Sequence, residues 1–328
     1  MQIKQQIWKG KEQDANIGGL SLPVSDQAYR LVWNDEFDGD WIDRTKWCAD
    51  GSGCWNADYK YTNDKEHWNV SNSVATLTMT KFDEPDENGK LYLDALSLVT
   101  DDTMNFQYGY LEMRAKVPFF GKGEFPAFWL LSSKASLARQ EKDFKVPSFR
   151  IEIDVFENFS SKNQLVPNLH KYENVPEKMR HSQLSGIDQG ASKNGTRTFR
   201  FDEGVNPNDW HTYGMLWTEN ILSFSIDGDF YYTYDLSKPF GYDDNTDGFH
   251  QPVGIIISNQ IFSAGWCKEN EWAASLGPAD DSIFPLKYSI DYVRLYQREN
   301  YGKLFVNDKN KSSDFTPKTD KRKSRVVK

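Results

Sequence analysis

No stretch of this 328-residue chain approaches the roughly 18 consecutive apolar residues that a membrane-spanning helix requires. The amino end, MQIKQQIWKGKEQDAN, also lacks the apolar core of a secretory signal, although a mature form would begin the same way. Cysteine is scarce. Cys48, Cys54 and Cys267 are too few and too unevenly spaced for a disulfide framework or a CxxC zinc site. Reduced thiols are the expectation, with a local Cys48–Cys54 bridge as the alternative. An excess of positive charge is missing too: 39 Lys and Arg stand against 48 Asp and Glu, a net charge of −9, which argues against a nucleic-acid partner. His67, His181, His211 and His250 show no i, i+4 spacing of a zinc motif, so no catalytic metal is expected.

Helical periodicity is nearly absent, residues 134–145 being the one helical-looking segment. What is present is alternation. YLEMRAKV (110–117), RIEIDVFE (150–157), ILSFSID (221–227), DFYYTYD (229–235) and YSIDYVRLYQ (288–297) read as strands, and the Asp227-Gly228 pair between two of them is a hairpin signal. Hairpins imply antiparallel pairing. The reading is an all-β antiparallel sandwich over residues 30–298, with an amino-terminal extension (1–29) and a basic tail (299–328) too polar to order itself.

The informative strand is Arg150-Ile-Glu-Ile-Asp-Val-Phe-Glu157. Period two puts Arg150, Glu152 and Asp154 on one face and the isoleucines on the other. An exposed charged strand over a core would show the same alternation. Glu157, however, lies at an odd offset from Glu152 and would be buried with the isoleucines unless a bulge at Val155–Phe156 returned it to the acidic face. Aromatics flank this strand in FPAFW (125–129) and ENF (157–159). Paired carboxylates in an aromatic cleft suit a sugar, whose C–H faces stack on rings while its hydroxyls need polar partners. Glycosidic cleavage needs one carboxyl to protonate the leaving oxygen and another to meet the anomeric carbon, so two protonation states must coexist.

These residues resemble glycoside hydrolase family 16, the concanavalin-like jelly-roll group of laminarinases, lichenases, agarases, porphyranases and carrageenases. Glu152-Ile-Asp-Val-Phe-Glu157 is similar to the bulged form of the family's signature, and LVWNDEFDG (31–39), YGYLEMRAKVP (108–118), FPAFWLL (125–131), WHTYGMLWTENILSFSIDG (210–228) and SIDYVRLYQ (289–297) resemble its other blocks in order. The resemblance implies Glu152 as nucleophile, Glu157 as general acid/base and Asp154 as the assisting carboxylate. It also implies substrate contacts at Trp129, Phe125, His170, Arg114, Trp55 and Trp266. Many members hold a structural calcium, which would place one at Asp291 and the backbone near Glu36. Asp243, Asn245, Asp247 and Gly248 mimic the start of an EF loop but lack its bidentate Glu, and read as a turn.

Phe125 stands where many members carry Trp, WNADYKYT (55–62) lacks the Glu-Leu-Gln usual in laminarinases, and 257–266 matches its region loosely. The sugar-reading parts have drifted while the acids are kept. The expected activity is a retaining endo-glycosidase of a β-linked polysaccharide, first a β-1,3- or mixed-linkage glucan. A β-galactanase of agarase or porphyranase type is the alternative, and a lectin-like binding module the third reading. A lectin has no need of two close glutamates beside an aspartate. A monomer acting outside the cell, with no cofactor required for catalysis and with transglycosylation open to it, completes the expectation.

Overall fold

The computed structural model describes residues 7–8, 16–17, 20–21, 29–48, 58–132, 149–175, 178–183, 190–192, 196–237 and 249–307. The expected helix at 134–145, Trp55, Cys54 and the EF-like stretch from Asp243 lie outside them. Two sheets face each other. In the larger, of twelve strands, Asp229–Asp235, Ile221–Ile226, His211–Trp217, Gly109–Lys116 and Leu286–Gln297 are neighbours in that order; the smaller, of seven, centres on Phe149–Glu157. Among the described residues, pairing is antiparallel apart from Tyr59–Thr62 on Tyr92–Ala95. The Asp227-Gly228 turn has φ of 51° and 80° and joins Ile226 directly to Asp229, the two-residue geometry whose twist suits a hairpin.

Alternation decides which side chains meet between the sheets. Leu111, Met113 and Ala115 from one sheet and Phe128, Leu130, Ile151, Ile153, Ile255 and Ile257 from the other are buried in one core. At about 25 cal/mol per Å² of apolar surface, this burial is the main force holding the sandwich closed. The opposite face of the smaller sheet carries the acids.

Two boundaries differ from the sequence reading. The tail assigned from residue 299 begins later, because Lys303–Val306 pairs with Met104–Gln107 and buries Phe305. At the other end, Ile7 and Trp8 pair with Arg30 and Tyr29, so the extension touches the sandwich. Two helices, α1 (Ala264–Glu269) and α2 (Glu271–Leu276), follow the strand Gly254–Ile261. Each is under two turns and shows no usable periodicity. Their ends are fixed by side chains instead: Ser263 Oγ accepts from the Trp266 amide and Asn270 Oδ1 from that of Ala273.

Candidate active site

The strand Phe149–Glu157 runs between Glu124–Leu131 and Gln164–Val175. Against the latter, Asp154 pairs with Asn168 and Glu157 with Val166, so three steps on one strand meet two on the other. The extra residue lies where the odd offset requires it. Val155 and Phe156 both enter the core, and Glu157 emerges beside Glu152 and Asp154. All three acids line one cavity with Phe125, Ala127, Trp129, Ser258 and Gln260.

Neighbouring strands hold the carboxyls in place. Tyr172 Oη donates to Glu152 at 3.2 Å from Oε2, and His170 Nε2 stands 3.2 Å from Asp154 and 3.8 Å from Glu152. Asn168 Nδ2 donates to Glu157 Oε2, and the Asn168 oxygen accepts from Arg197 and from Gln183. Burial makes ionisation costly here. It pushes the Glu152 carboxyl up to about 8, with the Asp154 charge adding to the shift. Glu157 is also held well above the usual carboxylate range, by burial first and by Asp154 second. Asp154 is raised by burial, with the Arg197 guanidinium opposing. Burial and mutual repulsion therefore oppose ionisation of all three carboxyls together, so that one can keep the proton that acid catalysis requires. Glu152, Asp154 and His170 each bring an atom within 4.8 Å of the others. That spacing would admit a cation.

Phe125, on the cavity wall, opens an aromatic cluster. Phe125 stacks on Phe262 with centroids 5.1 Å apart, and Phe262 stacks on Trp266 of α1 at 5.2 Å. Trp272 of α2 meets Phe159, Phe262 and Trp266 edge-on and is 46% exposed. Asp58 anchors this corner, accepting from Ser263 Oγ at 2.5 Å and from the Gly265 amide at 2.9 Å.

The residues singled out in the sequence separate into groups. Glu152, Asp154, Glu157, Phe125 and Trp129 share the cavity, and His170 stands against two of the acids. Trp129 also donates to Ser258 Oγ at 3.2 Å. Trp266 does not line the cavity; its ring lies tilted 6.0 Å from that of Phe125. Arg114 does not face the cleft. It lies on the outer face of the larger sheet, its neighbours Met113 and Ala115 taking the core, and it pairs with Asp291 at 2.5 Å and with the Trp210 ring. Of the expected calcium site, the Asp291 carboxylate accepts from Arg114; the Glu36 side chain, beside the backbone named for that site, is held by a two-pronged contact from Arg294 at 2.7 and 2.8 Å.

Asn168, Tyr172, Arg197 and Gln183 escaped the sequence reading. Period two in NLHKY could have flagged Asn168 and Tyr172 as companions of His170. Nothing local marks Arg197 or Gln183, which arrive from later segments.

Residues 32–298 match the family model described as Beta-porphyranase A-D, GH16 domain. A beta-glucanase of Rhodothermus marinus is 29% identical over 290 residues, covering 85% of this chain and 91% of the relative. A keratan-sulfate endo-1,4-beta-galactosidase of Sphingobacterium multivorum is 24% identical over 89% of this chain, which spans 60% of that protein. Among solved structures, the kappa-carrageenase of Zobellia galactanivorans shares the fold with a TM-score of 0.60 at 20% identity, over 87% of this chain and all of that one. The laminarinase of Rhodothermus marinus does so with 0.56 at 23% identity, over 83% and 98%. Among the described residues, no helix is long and apolar enough to cross a membrane. A family match running from the opening strand to the closing one, over a sandwich whose bulged strand gathers three acids, makes this chain a glycoside hydrolase of family 16.

Proposed function

We propose that the protein is a retaining endo-glycosidase of a β-linked polysaccharide, with Glu152 as nucleophile, Glu157 as acid/base and Asp154 assisting. The observation that carries this reading is the bulge at Val155–Phe156, which puts Glu157 on the face of Glu152 and Asp154. The reacting form is the one in which Glu152 has released its proton to solvent and Glu157 has kept its own; Glu157 then protonates the departing glycosidic oxygen as a Glu152 carboxylate oxygen bonds to the anomeric carbon. Glu157, now ionised, takes a proton from water, whose oxygen then displaces Glu152 and restores the original configuration. Asp154, at Trp129 on one side and Asn168 on the other, tunes both partners through its shared protons.

The sugar we favour is a β-galactan of the porphyran kind, supported by the description of the matching family model. A β-glucan is the second reading, supported by the Rhodothermus marinus relative. Polymers of this size are met outside the cell, so the proposed place of action is extracellular.

A panel of porphyran, agarose, laminarin and lichenan tests the substrate. New reducing ends from porphyran are expected, and cleavage confined to laminarin or lichenan would replace the first reading by the second. Time-resolved NMR of the first products should show the β-anomer, and an initial α-anomer would remove Glu152 as nucleophile. Glu152→Gln should lower turnover by roughly 10⁴-fold or more while oligosaccharide binding persists.

A further inference from the structure

We propose that Asn168 is a positioning residue for Glu157, locked by Arg197 and Gln183 into the one amide orientation that can donate to it; the inference rests on Glu157 being the acid/base. Asn168 is 1% exposed and lies opposite Asp154 on the strand Gln164–Val175. Its Oδ1 accepts from Arg197 Nη1 and from Gln183 Nε2, the latter at 3.3 Å. A guanidinium can only donate, so a flipped amide would set N–H against N–H in a buried site. The remaining Nδ2 therefore points at Glu157 Oε2 and holds it as an acceptor.

This has a consequence for the proton. A neutral carboxyl carries one hydrogen, and an oxygen already accepting from an amide is the poorer place for it. The proton of Glu157 is accordingly directed to Oε1, the oxygen left to serve the cavity. Other charged groups cannot substitute for this device. Glu152 and Asp154 face Glu157 from its own strand and His170 from the next, while Ala127, Trp129, Ser258 and Gln260 bring no charge. Each acts on how readily Glu157 ionises, whereas Asn168 alone bonds to one of its two oxygens among the contacts described.

The test separates leaving groups that need a proton from those that do not. It compares kcat/KM on the polysaccharide cleaved with kcat/KM on a 2,4-dinitrophenyl β-glycoside of its released disaccharide, whose phenolate departs without help. Asn168→Ala should lose at least about thirtyfold on the polysaccharide and stay within about threefold of wild type on the aryl glycoside. Its alkaline limb should also move to higher pH, because the ionised form of Glu157 has lost a hydrogen bond. Arg197→Gln should show the same split with a smaller loss, and it carries the test if Asn168→Ala does not fold. Equal losses on both substrates, no loss on either, or an unmoved limb would overturn the proposal. Full polysaccharide turnover by Glu157→Ala would instead defeat the acid/base assignment itself.

Discussion

A buried carboxyl must keep its proton or find a counter-charge, and at Glu152 the first dominates. Its pKa of about 8, against an ordinary 4.5, means that the folded chain binds more protons than the unfolded one between those values. Stability should therefore fall as pH rises through that window. Glu152→Gln removes the liability. In scanning calorimetry at about pH 5, 7 and 9, the variant's Tm advantage should widen with pH, starting near zero at the acid end. A constant offset would show that Glu152 ionises freely in the fold. The side chain is only 18% exposed, so solvent does little to soften the effect.

At the scale of elements, the bulge and the helical corner build the cleft. The bulge was legible because Glu157 at an odd offset had only two fates, burial among isoleucines or return to the acidic face. The α1–α2 corner was not legible, since helices of six residues depend on caps and on contacts from elsewhere. One of those contacts is Gly123, at φ 92°, where a Cβ would stand 2.4 Å from the Ala279 Cα. The close approach lets Gly123 O accept from Phe262 N at 2.8 Å and ties the aromatic strand to the corner. Gly123→Ala should cost about 2–4 kcal/mol through backbone strain and overlap. Thermal unfolding checks this, and an unchanged Tm would mean that the 278–279 backbone yields easily. On the same corner, Trp272→Ala should raise KM for long oligosaccharides several-fold while that for short ones stays put. Equal effects at all chain lengths would show that the ring serves only the packing of Phe159 and Phe262.

Across the whole molecule, arginine pairs on the outer sheet join residues far apart in sequence. Arg294 grips Glu36 across 258 positions of sequence, and Arg114 holds Asp291 across 177. The two-pronged, partly buried Arg294–Glu36 pair exceeds the roughly 0–1 kcal/mol of an exposed pair, whereas Arg114 makes one contact to Asp291 between side chains about a third exposed and stays within that range. Incubation with EDTA is expected to leave Tm unchanged. A fall of several degrees that calcium reverses would reinstate an ion at this surface.

The sequence by itself determined the all-β class, the hairpin at Asp227-Gly228, the acidic strand with its kink, and the glycosidase chemistry. The class and the hairpin follow from side-chain periodicity and turn residues, while the kink and the glycosidase chemistry, which periodicity left open, come from the resemblance of 152–157 to a family signature. Tertiary structure alone decided that Arg114 turns outward, that Glu36 and Asp291 take arginine partners, and that Asn168, Arg197 and Gln183 converge behind Glu157. Those contacts join residues from about a dozen to more than 250 positions apart, and a strand's alternation says which face a side chain takes but not what another strand will bring against it.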